Sequence, residues 1–494
     1  MKYTDEQQDS IDAARRGESF VIYALAGTGK TSNLKGIAEA LPSNRILYVG
    51  FSKSVCEEAK RRMPGNTVAK TYHGLAYGGF GYRYKDRIET STWALKSAIE
   101  EFLRSDLSGS SQDLNTRLRY LYAVMDTLGR YQNSADRNIL VSHVPEVFHD
   151  ELNAEYVVKM ALKVWEDMID VNGKLPISHD TYGKGWQLTD PVLRYDLIAF
   201  DEAQDGSPVM LDVVEKQRNQ KIFVGDSHQQ IYAWRGAVNA LDSINLQQHY
   251  LTQSFRFGPK IAQIANLILK SKGASVLVRG MKDKDDSVVV NQLGRPNAFL
   301  SRTNGGLVEQ AISYIESGYK VGIVGGADRI MGMAYGAYEL RLKGKSNHPA
   351  FRNFKSWPEL QEAAKSEQGG NLKPFVQIVE RYKERFPYIA TLVKTKSVDP
   401  SEAQVVMATS HIFKGNEAEE VKIAGDYPLF CEFDKESKEF KFLEEEANLS
   451  YVTVTRAKKT LDLSAYAPIL KESITSSMEM QKAAKQLRLK LSAA

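Results

Sequence analysis

Cysteine is nearly absent from this 494-residue chain, which holds only Cys56 and Cys431. Two thiols cannot complete a zinc site by themselves or staple a small scaffold, and such sparse usage suggests a reducing compartment. No apolar run approaches the roughly 20 residues that a membrane-spanning helix needs, and the N-terminus lacks the apolar core of a signal peptide. A soluble, intracellular protein with no membrane partner is the expectation. A strong charge of one sign is missing too. The 65 Lys and Arg against 61 Asp and Glu leave a formal net charge of +4, with a pI near 8.6. That balance permits nucleic-acid binding without requiring it, so local grooves must do what the global charge does not. Internal repeats and low-complexity tracts are not apparent. What is present is enough chain, at 43% hydrophobic content, for several cores and three or four domains.

The most informative stretch runs from Ala24 to Thr31 (Ala-Leu-Ala-Gly-Thr-Gly-Lys-Thr), where an apolar run, Phe20 to Leu25, gives way to a helix-compatible segment. A glycine-rich turn between strand and helix lets consecutive N–H groups of Ala26, Gly27, Thr28 and Gly29 converge on phosphate oxygens. Lys30 then supplies a point charge for the β- and γ-phosphates, and Thr31 a hydroxyl for Mg²⁺. Ala24 replaces the first glycine of the usual G-x-x-x-x-G-K-[ST] pattern, so the turn alone could also be a chance Gly-rich connection. Tyr195 to Phe200 reads as a largely apolar strand that delivers Asp201, Glu202, Ala203, Gln204 and Asp205 at its carboxyl end, where ligands of open α/β sheets bind. Asp201 suits a Mg²⁺ bridging the phosphates, and Glu202 can orient and deprotonate an attacking water. Acidic residues also favour the first turn of any helix, but a phosphate loop upstream makes that reading the weaker one. ATP and Mg²⁺ are the expected cofactors.

Further segments complete an ordered set: Tyr-Thr-Asp-Glu-Gln-Gln at 3–8, Gly-Phe-Ser-Lys-Ser at 50–54, Thr-Tyr-His-Gly-Leu-Ala at 71–76 and Val-Gly-Asp-Ser-His-Gln-Gln-Ile-Tyr-Ala-Trp-Arg-Gly-Ala at 224–237. They continue with Leu-Thr-Gln-Ser-Phe-Arg-Phe-Gly-Pro at 251–259, Ser-Arg-Thr-Asn at 301–304, His-Ile-Phe-Lys-Gly-Asn-Glu at 411–417 and Tyr-Val-Thr-Val-Thr-Arg-Ala-Lys at 451–458. In this order the chain resembles a superfamily 1 helicase of the UvrD/Rep/PcrA type, most of all the helicase portion of the eukaryotic F-box DNA helicases. The resemblance implies an α/β fold of two RecA-like, parallel-sheet P-loop motor domains carrying inserted, mainly helical subdomains. It places domain 1A at residues 1–78 and 189–248, the helical insertion 1B at 79–188, domain 2A at 249–330 and 400–494, and a short 2B at 331–399. ATP would then close a cleft between the motor domains and hydrolysis would reopen it.

The resemblance also implies roles for single residues. Gln7 would read the adenine edge, since an amide carries both a donor and an acceptor, and Phe255 would stack on the base. Arg256 would bind phosphate, Gln229 would sense the γ-phosphate and Glu417 would bind the ribose. Arg456, in a helix expected around Tyr451 to Lys459, would be an arginine finger aimed at the transferring phosphoryl oxygens. Lys30, Glu202, Gln229, Arg256 and Arg456 are thus the candidate catalytic set.

Tracking along single-stranded DNA needs cations for the backbone and aromatic faces for the bases. Phe51, Lys53, Tyr72, His73, Tyr232 and Trp234 are the candidates, with Lys60, Arg61, Arg62 and Arg235 nearby in sequence; an aromatic cluster after a strand is as often core. Between Tyr77 and Leu188 apolar residues recur at helical spacing, in Thr92 to Leu103, Leu114 to Tyr131 and Glu155 to Val171. A basic, helix-compatible tail follows from Lys471. His179 with Asp180 lacks the further ligands a metal site needs.

The expected activity is ATP-driven, 3′→5′ movement on single-stranded DNA with duplex unwinding, in replication, recombination or repair. The expected partners are single-stranded DNA, single/double-strand junctions, and single-strand-binding or recombinase proteins. Stripping proteins from the strand without much unwinding, tracking on RNA, or a non-enzymatic platform are the alternatives. The motif series begins at residue 3, which leads to the expectation that no F-box precedes it. With no lysine-rich nuclear signal in view, a bacterial or phage-infected cytoplasm is the expected setting, a nuclear one being left open.

Overall fold

The computed structural model describes residues 3–492 apart from 111–112, 232–239, 290–293, 349, 353, 365–371 and 435–436. The chain divides into two units, one of Met1–Ala24 with Gly29–Leu251, the other of Leu25–Thr28 with Thr252–Ala494.

The first unit is built on six parallel strands: β1 (Phe20–Ala24), β2 (Ile46–Gly50), β3 (Thr67–Thr71), β4 (Leu197–Phe200), β5 (Gln220–Gly225) and β6 (Gln247–Leu251), in the order β3-β2-β4-β5-β1-β6. The central strands are apolar almost without interruption because both faces are covered, as parallel sheets require. Alternate residues feed two cores. Phe20, Ile22, Ile46, Tyr48, Leu197 and Ile222 face the helices Asp5–Arg15, Lys30–Ala40 and Lys53–Arg62, which contribute Ile11, Leu34, Ile37 and Cys56. Val21, Leu47, Val49, Ile198, Phe200 and Phe223 face the helical stretch between β3 and β4.

That stretch forms the expected helices to within a residue or two, at Thr92–Phe102, Leu114–Asn133 and Ala154–Ile169. Leu121, Val124, Leu128 and Tyr131 repeat every three or four residues and are buried, as are Val157, Met160, Val164 and Met168 on the next long helix. Asp113 and Asn153 cap the two helices by accepting the N–H groups of Thr116 and Tyr156, which satisfies donors that have no partner inside the helix.

The second unit holds a seven-stranded parallel sheet of β7 (Ser287–Val289), β8 (Ala298–Ser301), β9 (Val321–Ile323), β10 (Ser397–Val398), β11 (Val405–Thr409), β12 (Ala418–Ile423) and a last strand, Ala457–Asp462, here β15. Between β12 and β15 an antiparallel hairpin, β13 (Cys431–Asp434) and β14 (Glu439–Phe442), packs against the C-terminal helix Ala467–Ser492. Helices Asn304–Glu316, Ala327–Lys343, Lys373–Tyr382 and Phe386–Lys396 share one core with Phe299, Val321, Ile323, Val405 and Met407 of the sheet.

One expectation needs correcting. The helix expected around Tyr451 to Lys459 stops at Val454, and β15 begins at Ala457. The strand wins because Thr460, Leu461 and Asp462 pair with β12 on one side and β7 on the other. Arg456 therefore lies in the turn between helix and strand.

Candidate active site

In the first unit β4, β5 and β1 are consecutive in the sheet, with Phe200, Phe223 and Val21 in register. Their carboxyl ends consequently present Asp201–Glu202, Asp226–Gln229 and Gly29–Thr31 on one edge. Lys30 opens the helix Lys30–Ala40 behind Gly29, whose φ of +80° is left-handed, a region glycine enters at little cost. The Lys30 Nζ lies 2.7 Å from Glu202 Oε1. The other Glu202 oxygen accepts from Gln204 Nε2 at 2.6 Å, Gln204 Oε1 accepts the Asp226 N–H at 3.0 Å, and Asp226 Oδ2 accepts from Gln229 Nε2 at 2.7 Å. Three sequence-predicted residues, Lys30, Glu202 and Gln229, are thereby joined, with Gln204 and Asp226 as the bridge. A Cβ on Gly225 would stand 2.2 Å from the Gln204 oxygen, so glycine is required where the bridge crosses β5.

Glu202 itself sits at φ +52°. A non-glycine residue held there costs on the order of 1–3 kcal/mol and persists only where its surroundings over-determine it. Asp201, 3% exposed, accepts the Tyr48 hydroxyl and the Glu202 N–H. Burial first, and the neighbouring Glu202 second, push its carboxyl up to about 6, against the pull of Lys30. Burial works to lower the Lys30 ammonium, but Glu202, Asp201 and Asp226 outweigh it and hold Lys30 above its usual value. Thr31 follows on the first helical turn and is half-buried. Gln7 is buried, and its side-chain oxygen accepts the Thr4 N–H at 3.1 Å as half of a capping box.

Three of the nucleic-acid candidates follow strands on the same sheet edge, beyond β4. Phe51 and Lys53 follow β2, and His73 follows β3; Lys53 is exposed, while Phe51 and His73 are half-buried. His73 Nε2 is 3.1 Å from Asp180 Oδ1. Tyr72 is a core residue: it is 4% exposed, donates its hydroxyl to the Gly183 carbonyl and packs edge-on to Trp186. The helix His179–Leu188 covers its ring, which offers no free face to a base. Tyr232, Trp234 and Arg235 lie outside the described residues. His179 Nδ1 bonds the Tyr182 hydroxyl at 2.9 Å.

The second unit, which includes Leu25–Thr28 by its contacts, gathers the remaining candidates from three distant segments. Arg256 Nε is 2.7 Å from Glu417 Oε2, and its Nη1 donates to the Thr455 carbonyl at 3.0 Å. Lys458 Nζ approaches the other Glu417 oxygen at 3.1 Å. Burial would raise the Glu417 carboxyl, yet the two cations leave it below its usual range. Phe255 keeps 45% of its surface exposed, and its N–H donates to the Gly27 carbonyl at 2.8 Å. A Cβ on Gly27 would meet Ser254 Oγ at 2.5 Å and Arg256 Cβ at 2.7 Å, so no side chain fits there. The Ala26 N–H donates to the Tyr451 hydroxyl at 3.1 Å. Arg456 is 2% exposed; its Nε donates to the Val452 carbonyl at 2.9 Å and its Nη1 to the Asn416 carbonyl at 3.3 Å. In this structure it caps its own helix.

Tyr48, Gln204, Asp226 and Tyr451 carried no role in the sequence reading. Tyr48 was detectable as the one hydroxyl in an otherwise apolar strand, and the others only as members of matched segments.

The UvrD/REP helicase N-terminal domain matches residues 3–247, and the UvrD-like helicase C-terminal domain matches residues 319–467. The chain belongs to the UvrD-like helicase family. It is 34% identical to F-box DNA helicase 1 of Gallus gallus over 94% of its own length and 49% of that protein. It is 30% identical to F-box DNA helicase protein 1 of Schizosaccharomyces pombe over 93% of its length and 57% of that protein. With the ATP-dependent DNA helicase Rep of Salmonella typhimurium it shares 24% identity over 54% of its length and 43% of that protein. The chain thus spans about half the length of the two eukaryotic relatives that it matches almost from end to end. These relatives correct the expected setting: the two proteins matched over more than nine-tenths of the chain come from chicken and fission yeast, against a bacterial or phage-infected cell. No helix among the described residues is long and apolar enough to cross a membrane.

Proposed function

We propose that the protein is an ATP-dependent motor that moves 3′→5′ on single-stranded DNA and unwinds duplexes in replication, recombination or repair. The observation that carries this reading is the continuous network Lys30–Glu202–Gln204–Asp226–Gln229, which ties the carboxyl ends of three adjacent parallel strands into one charged edge. The direction of movement rests on the family resemblance, and the named relatives, all DNA helicases, support DNA as the track.

Lys30 keeps its proton through its carboxylate neighbours and can neutralise β- and γ-phosphate charge. Among the described residues no three His, Cys, Asp or Glu side chains gather into a metal cage. Mg²⁺ on a nucleotide takes only one or two protein oxygens beside phosphates and waters, a set that Asp201 and Thr31 can supply. The bound ion would polarise the phosphoryl oxygens. Glu202, beside Asp201 on a left-handed backbone and bonded to Gln204, would take the proton of an attacking water. Gln229, linked to it through Asp226 and Gln204, can report the state of the phosphates to the segment that follows β5. In the second unit Arg256 and Arg456 are the guanidinium candidates for transition-state charge.

The test is ATP hydrolysis with and without single-stranded DNA, beside unwinding of substrates with a 3′ or a 5′ overhang. DNA-stimulated turnover with unwinding from the 3′ overhang alone supports the reading. Unwinding from the 5′ overhang alone contradicts the direction. Stimulated ATPase without unwinding, together with displacement of a recombinase filament, would favour protein stripping instead.

A further inference from the structure

The chain's positive charge is concentrated in one place. Residues 331–399 hold 12 Lys and Arg against 7 Asp and Glu, a net +5, whereas the whole chain is +4 and the remainder therefore −1. The structure gathers part of this charge at one corner of the second unit. The turn Lys383–Arg385 joins the helices Lys373–Tyr382 and Phe386–Lys396. Arg341, near the end of the helix Ala327–Lys343, reaches Glu384 at 3.4 Å, which sets the end of that helix beside the turn. Lys343 is paired with Glu339 at 3.0 Å. Lys383 and Arg385 are exposed and make no ion pair among the described residues.

Aromatic faces adjoin the cations. Tyr388 is 61% exposed and Tyr335 45%. The buried Phe386 ring packs 5.9 Å from Tyr335 and 5.1 Å from Tyr338, which sets Tyr335 beside the segment that carries Tyr388. Lys383 has φ +43° and ψ −120°, backbone that side chains avoid. Its side chain is exposed.

A polyanion explains the charge, and the rings decide which one. Base faces are available in an unpaired strand and hidden in a duplex, and stacking on them is tolerant of sequence. We propose that this corner is a second contact for single-stranded nucleic acid, with Lys383 and Arg385 on its phosphates and Tyr388 and Tyr335 against its bases. The site shares no residue with the Phe51, Lys53 and His73 candidates of the first unit or with the candidate hydrolysis residues.

The experiment is equilibrium binding of a fluorescent oligothymidylate, and of a blunt duplex of equal length, by the full chain without nucleotide across a salt series. Lys383→Glu combined with Arg385→Glu should weaken oligothymidylate binding at least tenfold. It should also flatten the dependence of log K on log salt by about 1.4, at about 0.7 for each lost contact to a single strand. Tyr388→Ala should weaken oligothymidylate binding about fivefold or more, the lower end of one base–aromatic stack, while its salt slope and its duplex binding stay as in the unaltered protein. Melting curves matching the unaltered protein show that these surface changes leave the fold intact. Unchanged oligothymidylate binding in both variants overturns the site. An equal loss on duplex for Tyr388→Ala overturns the single-strand assignment.

Discussion

Two lysines of the first unit are taken largely out of water and end in opposite states. Lys30, on the sheet edge, has Glu202 at 2.7 Å with Asp201 and Asp226 beyond, and its ammonium is held above the usual value. Lys184, in the helix His179–Leu188, is 0% exposed. It donates to the Ser134 and Asp136 backbone carbonyls and lies 4.7 Å from the Tyr131 ring centre. Burial there pushes it down to about 8, although Asp136 and Asp212 pull upward. Dipoles and a ring steady a buried ammonium less than carboxylates do. Burial alone therefore does not set the state of a lysine; the carboxylates around it do, and they are what separates Lys30 from Lys184.

The largest expected effect breaks the functional side of this contrast. Lys30→Ala should lower DNA-stimulated ATP turnover by about a thousandfold or more, the scale on which positioned charge acts in phosphoryl transfer, with oligonucleotide binding within about twofold of the unaltered protein. Glu202→Gln should lower kcat by about 10²–10⁴, the range of general-base catalysis, while ATP still binds. If its turnover stays normal, another group takes the proton. Arg456→Ala should affect two readouts, because the guanidinium is buried on backbone carbonyls. A stability loss of about 1–3 kcal/mol is expected from the orphaned acceptors, together with a fall in kcat. A stability loss with unchanged kcat would leave Arg456 as a helix cap only.

The smaller effects sharpen the structural side. Lys184→Met should cost about 1–3 kcal/mol by orphaning two carbonyls, and ATP turnover per folded molecule should stay within about twofold. The pH dependence is distinctive. An unfolded lysine titrates near 10.4 and Lys184 folded at about 8, so between those values the unfolded chain binds more protons and stability rises with pH. Below about 8 both states are charged and the contribution is constant. Chemical denaturation between pH 8 and 10.5 should show a rise that Lys184→Met lacks; identical slopes would contradict the burial of this charge.

Much of the fold was legible because local pattern and tertiary demand agree. The Phe20–Leu25 run holds a strand, Phe20–Ala24, covered on both faces, the helices after β3 follow their apolar spacing, and Lys30, Asp201, Glu202 and Gln229 lie at strand ends where parallel sheets place ligands. What failed locally failed for tertiary reasons. Arg456 lies in a turn because β15 is claimed by strands on both sides, and Tyr72 is lost to the core because Trp186, 114 residues later, covers it. Gln204 carries no local signal of its bridging role, which exists only once β4 and β5 are neighbours. The cellular setting was misread from a missing basic signal, and the relatives corrected it.

The most direct measurement is DNA-stimulated ATP hydrolysis by Lys30→Ala and Lys184→Met side by side with the unaltered protein. Turnover lost in the first and retained in the second is the predicted result. Turnover retained in Lys30→Ala, with the protein folded and bound to DNA, would contradict the account at its root.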